Sequence, residues 1–370
     1  MRKGWEYKRW KEVLTIINGK NQSAVVDENG EYPIYGSGGI MGYANNWLCP
    51  ENCVIIGRKG NINKPIFVET KFWNVDTAFG LNANKEYLLP KFLYYFCLDY
   101  NFERHNKAVT IPSLTKADLL KIDIPLPPLS TQLAIVSELD KINELIRLKK
   151  EQLKDFDNLA QSLFFEMFGD PVENEKGWEV KKLDDVCIIT SSKRIFADEY
   201  TETGIPFYRS KEVIERSKGL PISVELFISE ERYNEIKEKF GVPKIGDILI
   251  TAVGTIGKIW AIDTDNKFYF KDGNLVWLKD IDNQLANSCF FRRLLEYLIE
   301  EYKKTNANGA AYNALTIAKL KLMSCPLPPL SLQQLFAQRI EQIEREKSEV
   351  QKSIQDLETL LASRMQYWFE

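Results

Sequence analysis

Two glycine-containing segments of this chain place cations beside amide or hydroxyl side chains, directly after an apolar run. The first, GRKGNINK over residues 57–64, follows VII, and the second, TAVGTIGK over residues 251–258, follows ILI. Glycine lets a backbone approach a partner closely, and Lys or Arg flanked by Asn or Thr can contact phosphates and base edges. Each segment predicts a strand that leads into a nucleic-acid-contacting loop. The alternative is a β-hairpin turn whose glycines only satisfy geometry.

The sequence lacks the residue patterns of common catalytic and cofactor sites. It contains no Gly-x-x-x-x-Gly-Lys-Ser/Thr phosphate loop, no Asn/Asp-Pro-Pro-Tyr methyltransferase signature and no His-Glu-x-x-His metal helix. The one histidine, His105, has no nucleophile beside it, and the six cysteines are scattered, so buried free thiols are expected rather than a zinc site. We predict no catalytic and no metal site on this chain.

Composition favours a globular protein with a divided surface. The 370 residues allow two to three domains, and 44% hydrophobic with 27% charged residues is ordinary for a soluble fold. A net charge of −3 argues weakly against a simple nucleic-acid binder, but it averages a basic segment at 58–64 with an acidic one at 341–349. Because no apolar run is long enough to cross a membrane and residues 1–10 carry no apolar signal region, a cytoplasmic location is expected.

One phrase, PLPPLS, occurs at residues 125–130 and again at 326–331, and each copy precedes a segment with heptad-spaced apolar residues. The seam positions are Ile135, Leu139, Ile142, Ile146, Leu153, Phe156 and Leu163 in the first segment, and Phe336, Ile340, Ile343, Val350, Ile354, Leu357 and Leu361 in the second. A seam kept in both copies predicts coiled-coil helices. Ser130 is the predicted N-cap of the first helix, which should end at the glycine and proline of Gly169-Asp170-Pro171.

Neither helix should be stable alone in water, because each exposes an apolar stripe. The simplest way to bury both stripes is to pack the helices on each other in an intramolecular coiled coil. We favour an antiparallel pairing, which suits the short chain connections and the symmetry of a repeat. Parallel pairing is the alternative.

The repeat extends upstream, since Gly4-Trp5-Glu6 resembles Gly177-Trp178-Glu179. This offset is 173 residues, whereas the PLPPLS phrases are 201 apart, so the second copy is 28 residues longer. Short apolar runs and turn clusters predict strands at 53–56 and 65–69 and at 186–190 and 247–252, while helices are predicted at 88–100, 114–120 and 289–302. The fold class is therefore α+β: two similar mixed α/β modules (1–125 and 171–326), separated by two linker-and-helix segments (126–170 and 327–370).

The order of module, PLPPLS, long helix, Gly-Asp-Pro, module, PLPPLS and long helix resembles the DNA specificity subunit of type I restriction–modification systems. The segments PIYGSGGIMGY at 33–43 and GIPFYRS at 204–210 resemble segments of that family's target-recognition domains. The similarity covers nearly the whole chain. In two respects the first module departs from the second: it is shorter, and it has Asn63 where the second has Gly257.

The resemblance implies that each module is a target-recognition domain that reads one half of a bipartite, asymmetric site in double-stranded DNA, with the coiled coil setting the gap. It implies docking of two copies of the modification methyltransferase subunit and of restriction/translocase subunits, and no membrane. S-adenosylmethionine, ATP and magnesium would belong to those partners. The candidate DNA-contacting residues are Tyr35, Ser37, Arg58, Lys59, Asn61 and Lys64 in the first module, and Arg209, Lys211, Thr251, Thr255 and Lys258 in the second. Arg209 and Lys211 could equally be solvated turn residues.

Other functions fit parts of the pattern. The same two lobes on a coiled-coil strut could serve as an assembly scaffold that reads no DNA. A protein that combines methyltransferase and recognition modules would need a catalytic domain that this sequence does not contain. An enzyme with an unfamiliar site is a third reading, which nucleotide turnover by the purified chain would support.

Overall fold

The computed structural model describes residues 5–106, 111–305 and 314–369. The chain divides into two compact units, Met1–Leu153 with Glu349–Glu370, and Lys154–Ser348. The unit boundaries differ from the linear scheme of modules and helices, because each unit takes part of both long helices. Gly4, the first residue of the upstream repeat, lies outside the described residues.

The first unit contains a four-stranded antiparallel sheet, a three-stranded sheet and a pair of strands that includes its first and last. Its strands are β1 (Glu6–Arg9), β2 (Leu14–Asn18), β3 (Tyr32–Gly36), β4 (Gly39–Ala44), β5 (Cys53–Gly57), β6 (Ile66–Val68), β7 (Trp73–Asn74), β8 (Ala78–Ala83) and β9 (Asp123–Leu126). Its helices are α1 (Trp10–Val13), α2 (Pro90–Asp99), α3 (Lys116–Leu119) and part of α4 (Leu129–Phe168). The sheet orders are β2-β8-β5-β6, β4-β3-β7 and β1-β9.

The second unit repeats this plan with additions. Its strands are β10 (Glu179–Lys182), β11 (Ile188–Thr190), β12 (Tyr200–Thr201), β13 (Ile205–Tyr208), β14 (Phe227–Ile228), β15 (Ile248–Thr251), β16 (Ile259–Ala261), β17 (Tyr269–Phe270), β18 (Leu275–Lys279) and β19 (Ser324–Leu327). Its helices are α5 (Leu183–Val186), α6 (Ser210–Ser217), α7 (Glu230–Phe240), α8 (Ser288–Thr305) and α9 (Ile317–Lys321), together with the last part of α4, from Lys154, and the first part of α10 (Leu330–Phe369). The last part of α10, from Glu349, belongs to the first unit. The sheet orders are β11-β18-β15-β16, β12-β14-β13-β17 and β10-β19.

The additional residues of the second copy lie mainly around one hairpin. In the first unit a two-residue turn joins β3 to β4, whereas in the second unit α6 stands between β13 and β14, and α7 follows β14. The sheet β2-β8-β5-β6 of the first unit and the sheet β11-β18-β15-β16 of the second have equivalent strand orders, and each is the main sheet of its unit. The extra length therefore enlarges the smaller sheet and leaves the main sheet unchanged.

The long helices are part of the core of each unit. In the first unit, buried Ile135 and Leu139 of α4 pack in the same cluster as Phe92 of α2 and Leu81 of β8. In the second unit the rings of Phe168, Phe290 and Phe336 join α4, α8 and α10, with the Phe168 centroid 4.7 Å from Phe290 and 5.2 Å from Phe336. Apolar burial is the dominant stabilising contribution in such clusters. The helices are thus structural components of the modules that they carry.

Helices α4 and α10 run antiparallel in each unit, as predicted. In the first unit Arg364 donates to Glu138, and Lys150 Nζ lies 2.7 Å from Glu358 Oε1. Residue numbers thus rise along α4 as they fall along α10. The second unit has the same direction, since Lys347 lies 2.7 Å from Asp157 and Phe336 contacts Phe164 and Phe168 further along α4. All fourteen seam residues are buried or half-buried.

The prediction of Ser130 as the N-cap of α4 was wrong, because the helix begins before this residue. Helix α4 begins at Leu129, and the Pro128 carbonyl accepts bonds from the amides of Thr131 and Gln132. Ser130 therefore lies inside the first turn. A proline directly before a helix needs no N–H of its own, so its carbonyl can open the helix without a side-chain cap. The predicted stop is confirmed, because Gly169 adopts φ +73° directly after Phe168.

Candidate nucleic-acid interface

The two glycine-containing segments form equivalent loops in the two units. Each follows the third strand of its four-stranded sheet, β5 or β15, and leads to the edge strand, β6 or β16. Gly60 and Gly254 both have a positive φ, +79° and +75°. In both loops the amide two residues later, that of Ile62 or Ile256, donates to the glycine carbonyl, over 2.8 and 3.0 Å. The left-handed backbone at these glycines explains the residue type, whichever ligand the loop binds.

Each loop is also anchored at the same place. The carbonyl of Arg58 accepts a bond from Leu114 N (2.9 Å), and that of Ala252 accepts one from Leu315 N (3.1 Å). The two leucines are buried and precede α3 and α9. The loops are therefore held by the unit's own backbone, so their side chains project from a fixed position.

The loops differ at their first residue. A Cβ placed on Gly57 would lie 2.4 Å from the carbonyl oxygen of Asn61, so the first loop has no room for a side chain there. At the equivalent position of the second loop, the Thr251 hydroxyl donates to the carbonyl of Thr255 and accepts from the amide of Lys258, the latter over 2.9 Å. Thr251 is fully buried. Its side chain therefore shapes the second loop and does not itself reach the surface.

The first loop carries uncompensated positive charge. Arg58, Lys59 and Lys64 are exposed, and across the described ranges none of them pairs with a carboxylate. The Arg58 guanidinium lies 5.8 Å from the Phe79 ring centroid, which is within the range of a cation–π contact. Cations without an internal partner are available to phosphates.

The hairpin turn between β3 and β4 lies beside this loop. A Cβ on Gly60 would be 4.0 Å from the Ser37 hydroxyl, and one on Gly38 would be 3.8 Å from Asn61 Nδ2. Tyr35 lies two residues before Ser37, and its half-buried ring packs edge-on against Phe72 at 5.6 Å. Burial raises the pKa of the Tyr35 hydroxyl, which stays a neutral donor at ordinary pH. The structure thus brings together two segments that are over twenty residues apart in sequence.

Two apolar residues beside this turn were not among the sequence candidates. Ile40 and Met41 of β4 are 56% and 63% exposed. Apolar side chains at a DNA surface can contact thymine methyl groups or wedge between bases. Residue type could not reveal them, because apolar residues in a strand are ordinarily assigned to the core.

In the second loop Thr255 and Lys258 are the candidates that reach the surface. Thr255 is exposed one residue after Gly254, and Lys258 is half-buried directly before β16. Within the part of the chain that the structure describes, the Lys258 side chain has no carboxylate partner. Thr255 and Lys258 therefore occupy the positions that Asn61 and Lys64 hold in the first loop.

Arg209 and Lys211 are balanced by internal carboxylates. Arg209 Nη2 lies 2.9 Å from Glu212 Oε1 and 2.8 Å from Glu225 Oε2, and Lys211 Nζ lies 2.7 Å from Glu225 Oε1. Glu212 is fully buried. Hydrogen bonds from Lys211 and Arg209 lower the pKa of Glu225 to about 2, so it is charged at neutral pH. The two cations thus hold α6 to the segment before β14, which is the role of structural turn residues.

The histidine and the cysteine thiols pack against other parts of the fold, as residues with a structural role do. His105 stacks on Tyr100, and its Nε2 lies 2.7 Å from the Tyr100 hydroxyl oxygen. All six cysteines are free, and burial raises the pKa of Cys53 and Cys325 to about 12. A thiol with a raised pKa is a poor nucleophile. No cluster of metal-binding side chains occurs in residues 5–106, 111–305 and 314–369, and none of their helices could span a membrane.

Comparison with known proteins decides the family. The model of the type I restriction modification DNA specificity domain matches residues 2–155 and 175–359. The chain belongs to this family. The resemblance inferred from the order of motifs is confirmed, and membership of the type I specificity family gives the chain a role in DNA target recognition.

Curated relatives of this specificity family extend over nearly the whole chain. A putative type I restriction enzyme specificity subunit of Haemophilus influenzae is 29% identical, with 92% of this chain and 87% of the relative covered. The MjaVIII specificity subunit of Methanocaldococcus jannaschii is 25% identical, with 96% and 92% covered.

Solved structures agree on the fold. The type I system S subunit of M. genitalium is 17% identical and aligns over 99% of this chain and 96% of that chain, with a TM-score of 0.56. A chain from a structure of the assembly and conformational transition of the type I system is 20% identical, covers 99% and 97%, and has a TM-score of 0.66.

Proposed function

We propose that this specificity subunit reads a bipartite, asymmetric DNA target, with one half-site for each recognition module. The observation that supports the proposal is the doubled loop: the same glycine-anchored backbone occurs in both units, but its side chains and the adjacent hairpin differ. A shared frame with different side chains suits two half-sites of different sequence, since base edges are read by side chains. Two half-sites on one face of a duplex lie about one helical turn, roughly 34–36 Å, apart.

We assign the chemistry to partner subunits. Adenine methylation with S-adenosylmethionine and magnesium- and ATP-dependent restriction would take place on a modification subunit, present in two copies, and on restriction subunits, while this chain supplies recognition. Helix α4 offers a surface for docking: a groove of about 670 Å³ in the first unit is lined by Leu133, Val136 and Leu145, with Leu133 62% exposed. Exposed apolar surface of this kind is typical of protein interfaces.

The test is co-expression with the methyltransferase subunit encoded beside it, followed by mapping of methylated adenines. We expect a single motif of two short blocks separated by unspecified bases. Exchange of residues 5–126 for the corresponding module of a relative should change one block and leave the other. Assembly of the complex without any methylation motif would refute the proposal and favour the scaffold.

Binding by the isolated subunit gives a second test. We expect it to be weak and strongly salt-dependent, because the net charge is −3 and the proposed DNA contacts depend on a few loop cations. Tight, sequence-specific binding by the subunit alone would contradict this expectation.

A further inference from the structure

Each module is connected to its long helix by one buried glutamine, and the two glutamines make equivalent contacts. Gln132 is the fourth residue of α4 and Gln333 the fourth residue of α10, and neither side chain has exposed surface. A buried primary amide is costly unless its donors and acceptor are all satisfied. Both amides are satisfied by backbone groups.

The bonds of the two amides correspond one to one. Gln132 Oε1 accepts from Leu89 N over 2.8 Å, and its Nε2 donates to Tyr87 O (2.8 Å) and Pro127 O (2.9 Å). Gln333 Oε1 accepts from Asn287 N over 2.8 Å, and its Nε2 donates to Leu285 O (2.9 Å) and Pro328 O (2.8 Å).

The partners explain what the amides fix. Leu89 and Asn287 directly precede α2 and α8, while Pro127 and Pro328 belong to the proline phrases before α4 and α10. Each amide therefore joins three backbone segments at one point: the start of the module's helix, the strand-to-helix linker and the long helix. Three bonds in different directions from one rigid amide group restrict rotation of the module helix on the long helix more than a single contact would.

Each module helix also makes a polar contact that does not involve a glutamine. In the first unit Lys91 and Tyr95 of α2 bind Asp140 of α4, over 2.8 and 2.6 Å. In the second unit the Tyr297 hydroxyl of α8 donates over 2.7 Å to Asp170, which follows the end of α4 and is not part of α10. Loss of a glutamine amide should therefore loosen the junction without releasing the module.

We infer that Gln132 and Gln333 are positioning residues that fix the angle of each recognition module on its helix, and that they thereby restrict the chain to one gap length between half-sites. The inference rests on the proposed function. A module that rocks on its helix reaches half-sites over a range of distances, so an intact junction in both units is needed for a single gap.

The test uses the complete chain co-expressed with the methyltransferase subunit, and duplexes that carry the mapped target with its natural gap or with one base pair added or removed. The variants are Gln132→Met and Gln333→Met, which keep side-chain length and remove the hydrogen bonds. Gln338→Met is the matched control, since Gln338 is exposed on α10.

We expect the preference for the natural gap to fall about tenfold, or 1.4 kcal/mol, in either variant, because a module that rocks on its helix can also reach a half-site across a longer or shorter gap. The control should keep the wild-type preference. Methylation of the natural gap should change much less, because both half-sites are still read.

A purely structural role would lower the melting temperature and leave the preference unchanged, and that result would overturn the inference. If a Met variant fails to assemble, Gln132→Asn and Gln333→Asn take its place, because the shorter amide cannot reach all three partners. A wild-type complex that methylates no bipartite target would instead refute the proposed function, and the inference with it. A wild-type complex that methylates such a target, with variants that keep its gap preference, overturns the inference alone.

Discussion

Each unit has a main sheet with the same strand order, but the two units differ in the segments that surround the loop after the third strand of that sheet. In the first unit a two-residue turn places Ser37 beside Gly60, and Arg58 and Lys59 have no carboxylate partner among the residues that the structure describes. In the second unit α6 replaces that turn, and the cations at its start, Arg209 and Lys211, are neutralised by Glu212 and Glu225. The comparison teaches that position alone does not make a cation available to DNA. Availability depends on whether the unit supplies its own carboxylate.

The largest effect is expected from removal of the uncompensated cations. Arg58→Ala with Lys59→Ala should lower methylation about 10- to 100-fold, since a lost base or phosphate contact costs roughly 1–3 kcal/mol. Base changes in the half-site of the second module should reduce methylation by the variant by the same factor as methylation by the wild-type protein. Lys211→Ala with Lys267→Ala is the matched control and should cost less than about threefold, because both are exposed cations that carboxylates already balance. Equal losses in both double variants would contradict the comparison.

A second prediction concerns the side chain that replaces Gly57 in the second loop. Thr251→Val should destabilise that loop by about 1–2 kcal/mol, because it removes a buried hydroxyl that makes two hydrogen bonds. Hydrogen exchange at the amide of Lys258, which donates to Thr251, should become faster while exchange in β5 and β6 is unchanged. Thr255→Val, at an exposed position, is the control. Unchanged protection of the Lys258 amide in Thr251→Val would show that the hydroxyl does not hold the loop.

A third prediction concerns a substitution that leaves cations of the second unit without a carboxylate partner, as in the first unit. Glu225→Gln removes the carboxylate that Arg209 and Lys211 share, so at least one of these cations becomes available to a phosphate. DNA affinity of the assembled complex should rise a few-fold at low salt, and the slope of log affinity against log salt should steepen by about 1. Glu235→Gln, which removes an exposed carboxylate on α7, serves as the control. An unaltered slope would mean that neither cation faces the DNA.

The smallest effect is a dependence on acid. The pKa of Glu225 is lowered from its ordinary 4.5 to about 2, so its ion pairs stabilise the second unit fully above pH 4.5 and are lost as the pH falls toward 2. Pepsin cleavage between α6 and β14 should therefore increase across this range in the wild-type chain. Glu225→Gln should be cleaved at the same rate at every pH after correction for the enzyme's own activity. Parallel profiles for the two proteins would argue against this contribution.

The helices and the duplication could be predicted from sequence because both depend on local repetition. A heptad seam is visible in one segment at a time, and its recurrence after the second proline phrase does not require knowledge of the fold. The N-cap was misplaced because Ser130 has a favoured residue type, whereas the helix starts from the Pro128 carbonyl, which every residue type possesses.

The candidate surface was only partly predictable. The glycine loops were found from residue type and spacing. The carboxylate that Arg209 and Lys211 share belongs to Glu225, which reaches them only in the folded unit. Burial of Thr251 and exposure of Ile40 likewise depend on which face of a strand is covered. The buried glutamines were invisible for the same reason, since glutamine on a helix is ordinarily placed on the solvent side.

The pairing of first with last strand has a consequence for inheritance. Glu6 lies opposite Leu126 in the first unit, and Glu179 opposite Leu327 in the second. The first and last strands of each module are therefore neighbours. A DNA exchange with crossovers at the Trp-Glu and proline phrases would replace a complete module while the two ends of the new segment still meet as neighbouring strands. If each module reads one half-site as proposed, such an exchange would change the target sequence, and only the faces of α4 and α10 that are buried in the module's core would have to fit the new segment.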